Sequence, residues 1–459
     1  MNPFGELDRF GERIAVVYPD GQTESYSSLL QQADTFCSEL ERDDLVAIEC
    51  TNSWRTLIAY LGCLRKGAPV LLVDGELERD LLQTLYDHYS VSVVCSDAAS
   101  QFQRIQPQGP GTHESLALLL STSGTTGSPK LVRLSLANLS QNALAIGQYL
   151  SLSADSTAIT SLPQHYSFGL SVINSHLLVG GRLALTDAAV TERRFWDHFH
   201  LAQVDSLSGV PTTLELLWNL RIGRLDLPSL RTITQAGGRL PEQLAKNYAE
   251  LSQQKGWQFF IMYGQTEATA RMSYLPPQDV HAYPTSIGHP IPGGKFELID
   301  DQKRLICEPF VPGELVYHGP NVMLGYASER EDLSLGDVQL GHLATGDIAE
   351  FDANGYYYIR GRQKRFIKLN GNRVGLDEVE VELSRRGLQV HTTGRDGMLL
   401  LVGLDSLTLE TAAATVAKLY RLRTSVIGKF VVEEVPLSSS GKIQYSQLLT
   451  RYEQEGLKS

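Results

Sequence analysis

The chain has 459 residues, 42% hydrophobic and 20% charged, which excludes a disordered, collagen-like or disulfide-scaffold chain and describes an ordinary globular protein. Its 52 acidic against 40 basic residues leave a net charge of −12, a field that repels nucleic acid and anionic lipid. No nucleic-acid or membrane partner is therefore expected, and at this length more than one core is.

From the amino terminus, Arg13–Tyr18 reads as a strand and Asp20-Gly21 as the turn after it. Ser27 is expected to cap a helix running through Leu30 and Ala33 toward Leu40. A strand at Leu45–Ile48 follows, then a helix with apolar spacing through Leu57, Tyr60, Leu61 and Leu64, and a buried strand at Val70–Val73. The rhythm of strand and helix is that of an α/β fold. The tail differs: beyond a charged stretch at 363–368 lie a helix at Leu376–Arg386, a strand at Met398–Val402, a helix at Leu409–Leu422 and a strand at Phe430–Val435. The reading is a large multi-layered N-terminal domain of sheets and helices, residues 1–362, and a small mobile α+β C-terminal domain, residues 363–459.

Five scattered cysteines, Cys37, Cys50, Cys63, Cys95 and Cys307, form no C-x-x-C pair and read as reduced core residues. The start of the chain carries early acids and no apolar signal region, and no apolar run reaches the roughly 18 residues of a membrane span. The expectation is a cytoplasmic protein.

Between two apolar segments, Leu118–Leu120 and Leu131–Leu134, lies Ser121-Thr122-Ser123-Gly124-Thr125-Thr126-Gly127-Ser128-Pro129-Lys130. Its glycines let backbone approach a bulky anion, its hydroxyls and amides can donate to phosphate oxygens, and Lys130 adds positive charge. The spacing is not that of a Walker loop, whose second glycine is followed by Lys-Ser/Thr and opens a helix. By itself the segment fits a phosphate cradle or a polar hairpin turn equally.

This segment resembles the phosphate-loop signature of the adenylate-forming superfamily: acyl- and aryl-CoA ligases, luciferases and the adenylation domains of peptide synthetases. Four more segments match in the family's order: Met262-Tyr263-Gly264-Gln265-Thr266-Glu267-Ala268, then Gly313–Tyr326, then Thr345-Gly346-Asp347 through Gly371, then Ser440-Gly441-Lys442. The pattern is closest to the acyl and aryl acid–thiol ligases.

The resemblance implies ATP as substrate. Thr122, Ser123, Gly124, Thr125, Thr126, Gly127 and Lys130 would wrap its β- and γ-phosphates. Tyr263 would lie on the adenine, with Gly237 and Gly238 on the other side. Thr266 would reach the α-phosphate, and Glu267 would hold Mg²⁺. Asp347 would take both ribose hydroxyls, since a carboxylate offers two acceptors and no donor, with Arg362 beside it. Lys442 would approach the reacting carboxylate, making Lys442, Thr266 and Glu267 the catalytic set. Lys364 would be the hinge about which the small domain turns, and Lys368 and Gly371 would line the channel for the thiol of CoA or of a carrier-protein phosphopantetheine. The acid pocket would comprise Tyr166, Phe168, Gly169, Val210 and Gly264.

The implied reaction turns a poor electrophile into an acyl-adenylate, with pyrophosphate leaving, and then passes the acyl group to a thiol. Neutralising charge and positioning the reactants dominate, so no catalytic triad is required. Amino-acid-activating relatives carry an Asp where this chain has Gly169, and a buried ammonium without a carboxylate is costly. The expected partner is thus an aromatic or fatty carboxylic acid, not an α-amino acid, together with an acyl carrier protein if the thiol is not that of CoA. The alternatives are a catalytically silent or regulatory adenylate-binding relative and a luciferase-like oxidative enzyme.

Overall fold

The computed structural model describes residues 3–96, 102–106, 109, 111–121, 130–363, 365–369, 372–420, 422–438, 441 and 443–456. The chain divides into two compact units, one formed by Met1–Phe296 and Tyr317–Leu343, the other by Glu297–Val316 and Ala344–Ser459.

The first unit is built on two large sheets flanked by helices. Among the described residues one sheet has the strand order Gly325–Ala327, Leu131–Leu134, Leu118–Ser121, Val70–Asp74, Val46–Cys50, Val93–Cys95, Gln103–Arg104. Val46–Cys50 pairs in parallel with Val70–Asp74 on one side and Val93–Cys95 on the other. All five of its residues are buried, as expected of a strand covered on both faces, and the helix Trp54–Lys66 makes the crossover a parallel pair needs. Leu118–Ser121 and Leu131–Leu134 run antiparallel, with Ser121 opposite Leu131, so residues 122–129 join the two arms of a hairpin.

The other sheet centres on Thr157–Ile159, Ser206–Gly209, Thr232–Gln235 and Gln258–Tyr263, all parallel, and ends at Ser273–Leu275 and His289–Pro290, which are antiparallel. The carboxyl ends of its parallel strands carry Gly209-Val210, Gln235–Gly238 and Tyr263-Gly264, where open α/β sheets bind ligands.

Most of a four-stranded sheet, Lys295–Ile299, Gly313–His318, His342–Phe351 and Tyr357–Arg362, belongs to the second unit, which then carries a two-stranded hairpin, Phe366–Leu369 with Asn372–Gly375. A three-stranded sheet, His391–Arg395, Met398–Gly403 and Ile427–Val431, completes it. The helices Leu376–Arg385 and Ser406–Leu419 close one core around Leu399, Leu401, Val379 and Val416. The helix Tyr445–Gly456 brings Leu448 against Leu400, Val402 and Phe430 on the other side.

Several local expectations needed correction: the helix expected at Leu409–Leu422 runs Ser406–Leu419, and Cys307 is exposed while the other four cysteines are buried. The first helix runs Tyr26–Phe36 and is capped by Ser25, whose hydroxyl accepts from Ser28 N at 3.1 Å; Ser27 is already helical, and a cap needs the extended backbone that Ser25 has. The strand expected at Phe430–Val435 lies at Ile427–Val431, where its register against Leu399–Gly403 fixes it. Residues 388–399 hold a full strand, His391–Arg395, turning at Asp396-Gly397; its polar sequence concealed it, because only Thr392 and Thr393 are buried.

Candidate active site

The turn after Gln258–Tyr263 is tightly specified. A Cβ on Gly264 would lie 1.8 Å from the Ala270 carbonyl oxygen, so only glycine permits the chain to double back there. Thr266–Ala268 forms one 3₁₀ turn, and Thr269 follows at φ +67°, a strained conformation for a β-branched residue. Hydrogen bonds hold it. Asn321 donates through Nδ2 to the Ala268 and Arg271 carbonyls at 2.8 and 3.2 Å, and its own carbonyl accepts from the Thr269 hydroxyl at 2.7 Å. Met323 N donates to the Glu267 carbonyl at 2.8 Å, and Met272 N to the Tyr263 carbonyl at 2.8 Å.

This frame presents Tyr263, Thr266 and Glu267 together. The Thr266 hydroxyl lies 3.2 Å from that of Ser167, at the start of the helix Ser167–Leu178. Glu267 Oε1 accepts from the Tyr326 hydroxyl at 2.8 Å, and Lys130 Nζ sits 3.4 Å from the centre of the Tyr326 ring. Burial and the neighbouring Glu267 charge push the Tyr326 pKa up, so the phenol stays a donor. The second Glu267 oxygen takes no hydrogen bond from the described residues. A half-buried, anionic oxygen donor with one free position suits Mg²⁺, which keeps phosphate and water among its ligands. Among the described residues no group of three or more His, Cys, Asp or Glu could hold a metal by itself.

Of the expected acid-pocket residues, Tyr166 and Val210 meet around Gly237, and Tyr166 also meets Phe168. Gly237 has φ +86°, and a Cβ on it would meet the Tyr166 hydroxyl at 2.4 Å and Val210 Cγ1 at 3.0 Å; one on Gly238 would meet Pro211 Cγ at 3.2 Å. The Tyr166 and Phe168 rings meet edge-on at 6.3 Å. Gly169 is backed against the Pro163 carbonyl, 2.3 Å from where a Cβ would stand, so no side chain of any kind fits in this arrangement. His165 Nε2 is 3.7 Å from Asp74 Oδ2, yet burial outweighs that carboxylate and lowers the imidazole pKa.

In the second unit Asp347 is 1% exposed and lies opposite Arg362 in the strand pair His342–Phe351 and Tyr357–Arg362. Arg362 Nε donates to Asp347 Oδ1 at 3.0 Å, and Asp347 N donates to the Thr345 hydroxyl at 3.1 Å. Lys368 is exposed on Phe366–Leu369, its backbone N–H donating to Asp396 Oδ1 at 2.8 Å. Arg365 anchors the hairpin: it pairs with Asp377 and Glu380 and stacks 3.7 Å from the Tyr445 ring centre. Thr122, Ser123, Gly124, Thr125, Thr126, Gly127, Lys364, Gly371 and Lys442 lie outside the described residues.

Sequence reading assigned no role to Ser167, Asn321 or Tyr326. The last two sit inside the quoted segment Gly313–Tyr326, but their partners lie some fifty or more residues earlier.

The family model for AMP-binding enzymes matches residues 5–112 and 94–327. The chain belongs to the AMP-binding enzyme family. A 2-succinylbenzoate–CoA ligase of Bacillus velezensis is 28% identical over 399 residues, covering 81% of this chain and 80% of that protein. A long-chain-fatty-acid–CoA ligase of Escherichia coli O157:H7 is 31% identical over 355 residues, 73% of this chain and 61% of the relative. The o-succinylbenzoate coenzyme A synthetase of Bacillus subtilis, solved with ATP and magnesium ion, superposes with a TM-score of 0.78 at 23% identity over 98% of this chain and 99% of that one. That likeness shows the fold: a large α/β N-terminal domain with a smaller C-terminal one. Among the described residues no helix is long and apolar enough to cross a membrane.

Proposed function

We propose that the protein is an ATP-dependent acid–thiol ligase that joins a carboxylic acid to AMP and then transfers the acyl group to the thiol of CoA. The observation that carries this is the Tyr263–Glu267 turn, placed at the carboxyl end of a parallel strand in a chain of the AMP-binding family. In the first step a substrate carboxylate oxygen bonds to the α-phosphorus of ATP and the bond to the β-phosphate oxygen breaks, releasing pyrophosphate. In the second the thiol sulfur bonds to the acyl carbon and AMP leaves.

The residue roles are those the family resemblance implies, supported for Thr266 and Glu267 by the turn that holds them. Tyr263 offers its ring to adenine, with Gly237 and Gly238 beside it. The Thr266 hydroxyl donates to the α-phosphate, and Glu267, held by Tyr326, ligates Mg²⁺. Bound there, Mg²⁺ neutralises charge on the phosphates. Lys130 and the 122–127 loop grip the β- and γ-phosphates. Asp347 takes the ribose hydroxyls with Arg362 at its side. Lys442 serves the first step, and Lys364, Lys368 and Gly371 serve the turn of the small domain and the thiol approach.

The acid is aromatic or fatty. An α-amino acid is disfavoured because Gly169 supplies no carboxylate where a buried ammonium would need one. We place the reaction in the cytoplasm, which the five free cysteines and the ATP requirement support. A carrier-protein phosphopantetheine is the alternative acceptor.

A panel of carboxylic acids, assayed for pyrophosphate release with and without CoA and for acyl-CoA by mass spectrometry, tests the reading. Acid-dependent pyrophosphate and acyl-CoA are expected. Pyrophosphate without acyl-CoA would move the acceptor to a carrier protein. Orthophosphate as the product would overturn the assignment.

A further inference from the structure

Arg271 is among the largest fully buried side chains of the first unit, 2% exposed. It lies between the Thr266–Ala268 turn and the strand Ser273–Leu275, and its backbone is fixed: its carbonyl accepts from Asn142 Nδ2 at 2.8 Å and from Asn321 Nδ2 at 3.2 Å. The side chain reaches the face of the sheet that carries Met262. There Nη1 donates to the Tyr149 hydroxyl at 3.0 Å and to Met262 Sδ at 3.2 Å.

No negative charge answers it. Among the described residues no carboxylate lies within ion-pair distance of Arg271, and its Nε is buried with no hydrogen-bond partner. The surrounding groups are neutral. Tyr149 is fully buried with its pKa raised, and His176 is held uncharged because burial pushes its pKa down to about 4. A buried guanidinium left without a counter-charge is unfavourable, and a phenol and a thioether are weak substitutes for a carboxylate. The guanidinium carbon is also 5.0 Å from the centre of the Phe168 ring, on the wall assigned to the acid substrate.

We propose that Arg271 recognises a second anionic group at the far end of the acid, so that the substrate is a dicarboxylic or comparably ω-anionic acid. This rests on the acid–thiol ligase reading above. One carboxylate is then activated beside Thr266, and the other meets the planar donor fork of Arg271, which matches a carboxylate through two parallel hydrogen bonds. Phe168 packs against the stem between them.

Matched acids test this. For adipate against hexanoate and terephthalate against benzoate, kcat/KM is read from pyrophosphate release with wild type, Arg271→Met and Arg271→Lys. Wild type should favour the dianion in at least one pair by about 10²-fold, as a site built for a polar group rejects the analogue lacking it. Arg271→Met should erase that preference and leave the monoacid within about threefold, while Arg271→Lys keeps part of the preference as a single point charge. The proposal is overturned if wild type prefers the monoacid in every pair. It is equally overturned if Arg271→Met lowers both members of a pair by one factor, as a purely structural post would. Should Arg271→Met fail to fold, the wild-type preference and Arg271→Lys decide. Absence of pyrophosphate release with every acid overturns the ligase reading itself, and this proposal with it.

Discussion

Tyr326 donates its hydroxyl to Glu267 across 59 residues of sequence, while the face of the same ring carries Lys130 Nζ at 3.4 Å. One aromatic side chain thus sets the distance between an anionic metal-ligand candidate and a cationic phosphate-ligand candidate. Glu267 is held by the hydroxyl and Lys130 by the ring, so the two contacts can be removed separately.

Tyr326→Phe removes only the hydroxyl. A hydrogen bond to a charged group contributes about 1.5–3 kcal/mol, so adenylation should fall by roughly 10–100-fold, with the Mg²⁺ concentration for half-maximal rate rising. Tyr326→Leu, which also removes the ring beneath Lys130, should raise the KM for ATP as well. Pyrophosphate release titrated with Mg²⁺ and ATP measures both. An unchanged Mg²⁺ titration in Tyr326→Phe would show that the hydroxyl does not position Glu267.

Gly237→Ala should destabilise the protein by about 2 kcal/mol or more, because an L-residue at φ +86° is strained and the new methyl meets the Tyr166 hydroxyl. Adding Tyr166→Phe should recover only part of that, since the backbone strain remains. Urea unfolding of the single and double variants separates the two contributions; full recovery would mean that contact with Tyr166 was the whole cost.

His176 gives the fold a defined acid sensitivity. Its pKa is about 4 in the folded protein against 6.5 for an ordinary imidazole, so the unfolded chain binds the proton more readily. The stability this contributes is fully present above about pH 6.5 and is lost as pH falls toward 4. At 1.36 kcal/mol per pH unit the loss is about 3 kcal/mol. His176→Leu should therefore lose less stability than wild type between pH 7 and pH 4, each protein being compared with its own value at pH 7. Parallel pH profiles would rule out burial of His176 as the cause.

Lys442→Ala should slow adenylation by roughly 10²–10³-fold, as removal of a preorganised charge donor does, while thioester formation from presynthesised acyl-adenylate suffers far less. The two half-reactions assayed separately decide it. Equal damage to both would place Lys442 outside the first step.

What the sequence by itself determined is what lies in unbroken runs. The alternation of strand and helix and the polar, glycine-containing segment 121–130 between two apolar runs are written in neighbouring residues, and the roles of Tyr263, Thr266 and Glu267 came from the family resemblance that their motif carries. The tertiary structure alone decided which distant groups meet: Tyr326 with Glu267, Asn321 with the strained Thr269, and the uncompensated burial of Arg271. A charged side chain reads as exposed in any local window, and a strand as polar as His391–Arg395 reads as loop, because burial and pairing are properties of the neighbours that folding supplies. Even the first helix cap moved from Ser27 to Ser25 for this reason, since backbone geometry at a helix start is fixed by where the preceding strand ends.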